Sequence, residues 1–145
     1  MSKVTYRMSG LKEMEAALRA LPSATRRQVA LKVLREGGEP IAKRARELAP
    51  VDQGYLREGI NVGTNLSSSQ RIDKGAVAAV EMHVGPGQHP QAIMQEFGTY
   101  KEPPQPFLRP AWDAMRVRAL DIIGTLLGIE IDKAAKRLAS RAARK

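Results

Sequence analysis

The period of the hydrophobic pattern changes several times along the chain, and each change marks an element. Residues 3–8 place Val4, Tyr6 and Met8 on one side of a two-residue repeat, which predicts a short strand. After Ser9-Gly10 the period lengthens. Leu11, Met14, Leu18 and Leu21 recur at helical spacing, and Pro22 closes the segment. A second, longer helix follows, with Ser23 or Thr25 as its predicted cap and Val29, Val33, Leu34, Ile41, Ala45 and Leu48 as its apolar face. Gly37, Gly38 and Pro40 interrupt that pattern. Proline lacks an amide donor and crowds the preceding turn, so a bend or break is expected there. The helix has to stop by Ala49, because Pro50 disfavours helical geometry in the residue before it.

Residues 50–56, Pro-Val-Asp-Gln-Gly-Tyr-Leu, read as a turn in which Gly54 supplies a positive φ. Strands are predicted over 60–64 and 76–85, joined through the polar stretch 65–70 as a long hairpin, and Gly85-Pro86-Gly87 ends the second. A short helical piece from Gln91 to Phe97 leads into a stretch punctuated by Pro103, Pro104, Pro106 and Pro110. From Ala111 a long helix is expected with Trp112, Met115, Ala119, Ile122, Leu126 and Ile129 on one stripe, widened by Ile123 and Leu127. Gly124 and Gly128 are candidates for close helix approach. The order is β-α-α-β-β-α-α. It predicts an α+β fold: a small antiparallel β-sheet with a long hairpin, packed by N-terminal helices and a long C-terminal helix. With 145 residues, no internal repeats and no long linker, the chain reads as a single domain over 1–145.

Composition narrows the chemistry. There is no Cys, which removes disulfides, thiolate zinc sites, iron–sulfur clusters and thiol nucleophiles together. No apolar run approaches a membrane span, and the first residues lack a signal peptide's apolar core, so a soluble cytoplasmic protein is expected, with no membrane partner. The formal charge is +9, and it is uneven: residues 1–57 carry +6, residues 58–100 carry −2, and residues 101–145 carry +5. Residues 133–145 alone hold six basic side chains and no acid, namely Lys133, Lys136, Arg137, Arg141, Arg144 and Lys145. This basic segment, 132–145, is either a solvated helix end, where cations suit the helix dipole, or an arm that docks on an acidic neighbour.

Catalytic patterns are thin. His83 and His89 have no paired acidic cluster, so neither a metal nor another cofactor is expected. Gly85-Pro86-Gly87 lacks the Lys-Ser/Thr ending of a phosphate loop, and Ser67-Ser68-Ser69 lacks a nucleophile elbow. A carboxylate-pair hydrolase would have to use Glu81 with Glu58 or Glu96, which no spacing requires. No catalytic residue is assigned, and the chain does not read as an enzyme. Charge alone favours nucleic acid. Four of the six aromatics, Phe97, Tyr100, Phe107 and Trp112, crowd among the prolines and none lies in the basic tail, which suits an anchor on the core or on a neighbouring subunit better than a base-stacking platform. Non-specific contact between the basic blocks and DNA stays open.

Three segments carry a resemblance. They are Ala42-Lys43 followed by Glu47-Leu48-Ala49-Pro50-Val51-Asp52-Gln53-Gly54-Tyr55-Leu56-Arg57; Gln95-Glu96-Phe97-Gly98-Thr99; and Pro106-Phe107-Leu108-Arg109-Pro110-Ala111. In this order they resemble the tailed-phage morphogenesis family typified by gene product ten of the Hong Kong ninety-seven siphophage. That family's pattern runs from a helix ending in Ala-Pro-Val-x-Thr-Gly-x-Leu-Arg, through a variable hairpin and Glu-Phe-Gly-Thr, to Arg-Pro-Phe-Leu-x-Pro-Ala opening the last helix. The resemblance covers about Gly10 to Met115. Gln53 stands where Thr is usual, Gly59 where Ser is common, and Gln105 where Arg often precedes Pro-Phe. The resemblance implies a structural virion protein at the head–tail junction: a tail-completion or neck subunit joining head connector to tail, forming a homo-oligomeric, hexameric ring. Its implied partners are a head connector or stopper protein and a tail terminator or tail tube protein, and it would pass through the host cytoplasm during assembly. A tail-terminator subunit capping the tube is the alternative. The motif residues Pro50, Gly54, Leu56, Arg57, Glu96, Phe97, Gly98, Thr99, Pro106, Phe107, Leu108 and Pro110 are expected to act structurally.

Overall fold

The computed structural model describes residues 10–51, 54–66 and 80–144. The predicted strand over 3–8, most of the hairpin tip, the residues 76–79 of the second strand, Asp52, Gln53 and Lys145 lie outside them. The described elements run α1 (Leu11–Ala20), α2 (Ser23–Leu48), α3 (Tyr55–Gly59), β1 (Asn61–Gly63), β2 (His83–Gly85), α4 (Pro90–Phe97) and α5 (Leu108–Ala143). Helices dominate, and the one described sheet is a two-stranded antiparallel ribbon, so the α+β class holds.

The backbone of the molecule is an antiparallel pair, α2 on α5. At about 1.5 Å per residue their 26 and 36 residues span roughly 39 and 54 Å. The start of α2 lies against the end of α5, where Val29 and Val33 share a buried cluster with Leu21, Ile131 and Ala134, with Met14 and Leu18 of α1 packed on it. The end of α2 lies against the start of α5. There Ile41, Ala42, Ala45 and Ala49 bury with Leu56, Ile60, Ala92, Phe107, Ala111 and Ala119.

Pro40 does not break α2, which continues through it to Leu48. The missing amide costs the carbonyl of Glu36 its helical partner, but Glu36 is exposed, so water can serve that carbonyl. The packed side of the same stretch, Gly37, Gly38, Ile41 and Ala42, is buried and holds the helix in place. The two glycines are points of contact rather than interruptions. A methyl on Gly37 would stand 2.3 Å from Ile123 Cγ1 of α5, and one on Gly38 would stand 2.9 Å from Val62 Cγ1 of the hairpin. Glycine is weak in a helix by about 1 kcal/mol each, yet here its size sets how closely α5 and the ribbon approach. Gly128, a candidate for such an approach, faces open space.

Neither Ser23 nor Thr25 caps α2. Ser23 is its first residue, Pro22 precedes it in an extended conformation, and no side chain caps the end. The other end behaves as expected, with Ala49 extended before Pro50. Gly54 has φ 85° and opens the single turn of α3. The ribbon pairs Asn61 with Gly85, Val62 with Val84 and Gly63 with His83. It is shorter than predicted, since residues 80–82 are not strand.

α5 begins at Leu108 rather than Ala111, and its buried face differs from the predicted stripe. Ala111, Ala119, Ile131 and Ala134 face the core, with Met115, Ile123, Leu126, Leu127 and Leu138 half-buried beside them. Trp112 and Ile129 lie outside, 54% and 44% exposed. The stripe shifts because α2 approaches closely, and small side chains fit between two near helices where an indole does not.

Candidate interaction surface

The three resemblance segments, distant in sequence, meet at one end of the molecule. The centre of that end is Glu96, on the inner face of α4 and 4% exposed. Its carboxylate accepts from the first amides of α5: Oε2 from Phe107 N at 2.8 Å and Leu108 N at 2.9 Å, Oε1 from Arg109 N at 3.0 Å. A helix leaves its first amides unpaired, and Phe107 has no side chain to cap them. Glu96 therefore serves as a cap supplied by another helix, which explains why α5 starts three residues before the predicted position. The Arg109 guanidinium reaches back to Glu96 Oε1 at 3.3 Å and to its carbonyl at 3.3 Å. Burial alone would raise the Glu96 pKa. The three backbone donors and Arg109 outweigh it, and hold the carboxyl below its ordinary value. Glu96, one of the two carboxylates weighed as a partner for Glu81, is thus taken up by capping.

Phe107, fully buried, anchors the start of α5 in the core, and Leu108 packs beside it. Gly98 ends α4 with φ 75° and ψ 173°. An added Cβ there would meet Pro104 N at 2.7 Å, so both conformation and space demand glycine. Thr99 closes the next turn, its Oγ1 accepting from Lys101 N at 3.2 Å and Glu102 N at 3.1 Å. Gln105 N donates to Gln95 O at 2.7 Å, tying the proline stretch to α4. Pro106 is exposed, and Pro110 occupies the first turn of α5, where no helical amide bond is lost. Pro50, Gly54 and Leu56 of the first segment line a groove of about 350 Å³ with Tyr55, Met94, Gln95 and Glu102. Arg57 is half-buried, with its Nε enclosed and without a hydrogen-bond partner.

The outer side of this end carries exposed apolar side chains among polar ones. Ile93, Met94 and Phe97 stand exposed on α4, with Tyr100 in the following loop and Trp112 on α5. Phe97 is 64% exposed and carries the Arg109 guanidinium 5.0 Å from its ring centre. Of the four clustered aromatics, only Phe107 is a core anchor. Ile93 and Met94 join the surface without any sequence motif to point to them. Their signal is the unusual apolarity of both sides of a short helix, Ala92 inward and Ile93 outward.

The basic segment takes the form of a helix extension. It continues α5 to Ala143 and buries Ala134 against the start of α2. Arg137 and Arg141 line a groove there, and Lys133 pairs with Glu130 at 3.3 Å. Lys136 and Arg144 are exposed. Among the described residues no group of three His, Cys, Asp or Glu could hold a metal ion, and no helix is long and apolar enough to cross a membrane.

Residues 12–98 match the family described as "Bacteriophage HK97-gp10, putative tail-component", more than half of the chain. The chain belongs to the HK97-gp10-like family. The match takes in α1 but for its first residue, α2, α3, the ribbon and α4, and includes the first resemblance segment and Gln95 to Gly98 of the second. The third segment, 106–111, lies beyond it, and is bound to the matched part through Glu96. No curated protein and no solved structure matches the chain. Membership in the HK97-gp10-like family makes this a phage tail component, structural in kind.

Proposed function

We propose that the chain is a ring-forming subunit of the head–tail junction in a tailed phage, joining the head connector to the tail by surface contacts and without catalysis. Support comes first from the large apolar side chains left exposed at this end, Ile93, Met94 and Phe97 on α4, Tyr100 in the loop and Trp112 on α5. Large apolar side chains left exposed close together in a small protein mark a surface used by another protein. Beneath them, Glu96, Gly98 and Phe107 fix α4 to α5, so the face is presented on a rigid base. In a ring, this face would cover the neighbouring subunit.

Cryo-electron microscopy of the parent phage tests the proposal. A ring of this chain between connector and tail, with the α4 face at a subunit or ring contact, is the expected result. A ring capping the tube end would make it a tail terminator instead, and absence of the chain from purified virions would overturn the structural role.

A further inference from the structure

The opposite end of the molecule has a different surface. Residues 23–35 of α2 carry Arg26, Arg27, Lys32 and Arg35 with no acid; residues 130–144, the end of α5 and its C-cap, carry Lys133, Lys136, Arg137, Arg141 and Arg144 with Glu130 and Asp132. The antiparallel packing of the two helices lays these segments side by side. Between them runs a groove of about 250 Å³ lined by Thr25, Gln28 and Lys32 on one wall and Glu130, Arg137 and Arg141 on the other. Glu130 is the one acid in that lining. It is nearly buried, and it is outnumbered by Lys32 at 2.9 Å and Lys133 at 3.3 Å. Those lysines hold its pKa below the ordinary value, so it stays ionised and fixes Lys32 at the groove edge.

We propose that this groove binds the phosphate backbone of duplex DNA, without regard to sequence. Two guanidiniums one turn apart, an ammonium opposite, and the hydroxyl and amide of Thr25 and Gln28 are the donors that phosphate oxygens take. No aromatic lines the groove, so base stacking is not provided for. Backbone contact is what the lining chemistry suits. The inference does not depend on the ring, and holds for a monomer.

The test uses the full chain and a labelled, mixed-sequence DNA duplex, with affinity measured by fluorescence anisotropy across salt concentrations. Three phosphate contacts, from Lys32, Arg137 and Arg141, predict affinity about 40-fold weaker at 200 mM than at 50 mM salt. The double variant R137Q/R141Q should lower the salt slope by about 2. K43Q/R118Q removes the same charge from exposed positions at the other end of the helix pair, and should leave the slope unchanged. Far-UV circular dichroism checks that both variants keep their helices. Equal losses in the two variants would overturn the groove in favour of diffuse charge. Displacement of DNA by polyglutamate at matched charge would overturn it in favour of an acidic protein. Displacement by inorganic phosphate beyond that caused by sodium chloride of equal ionic strength would make it a free-anion site. No binding even at low salt would overturn it outright.

Discussion

The two ends of the α2–α5 pair are built from the same kind of helix contact but differ in what closes them. At the end near Glu96, the helices are joined by irregular backbone, and single residues hold it: a buried carboxylate, a buried phenyl ring, a glycine at positive φ. At the end near Glu130, continuous helix packs on helix, and the buried residues Val29, Val33, Ile131 and Ala134 make unspecialised contacts. The surfaces differ in the same way, aromatic at one end and cationic at the other. Irregular backbone leaves polar groups that need particular partners, whereas a helix satisfies its own and leaves its outer face free to vary in charge.

Mutation can break this contrast. Phe107→Ala should cost about 3–5 kcal/mol, because the ring is wholly enclosed and its cavity lies where three elements meet. Ile131→Ala, at the other end, should cost about 2–4 kcal/mol. Chemical denaturation measures both, and a larger loss from Ile131 would reverse the ranking of the two ends.

Gly98→Ala should cost about 2–4 kcal/mol, from left-handed backbone and the Pro104 contact together. Glu96→Ala should cost about 2–3 kcal/mol by leaving three amides without their acceptor. Limited proteolysis should then cut both variants between α4 and α5 while sparing the basic end.

Acid sharpens the comparison through Glu96. Its folded pKa lies below the ordinary carboxyl value, so its contribution is fully present above that ordinary value and is lost as pH falls through the lowered one. Wild-type melting temperature should therefore fall more steeply on acidification than that of Glu96→Gln, with the two curves converging at the lowest pH. Parallel curves would mean that the charge contributes nothing to the cap. Least affected should be R137Q/R141Q. Both side chains are exposed, and melting should shift by less than the equivalent of about 0.5 kcal/mol.

Much of the local structure was legible in the residues alone. Helical spacing located α1, α2 and α4, Pro50 fixed the end of α2, and Gly54 took its expected positive φ. The same reading misplaced Trp112. Periodicity says that a helix has an apolar stripe, but Trp112 and Ala111 are neighbours, and either phase satisfies the pattern. At Pro40 the helix does not break, since a missing hydrogen bond breaks a helix only where nothing else holds it.

The motif residues stood out as motifs, but not their work: Glu96 looks like any helix glutamate until Phe107, Leu108 and Arg109 are folded beneath it. Lys32 and Glu130 gave no signal at all. By itself, then, the sequence determined where helices run, how charge is distributed and which family the chain resembles, because spacing, proline and glycine act within a turn or two of chain. Tertiary structure decided which face of α5 is buried, what caps its start, and which cations share a groove. Those depend on which partner covers a face and how near it comes, and here that distance is set by Gly37, Gly38 and the alanines between two long helices.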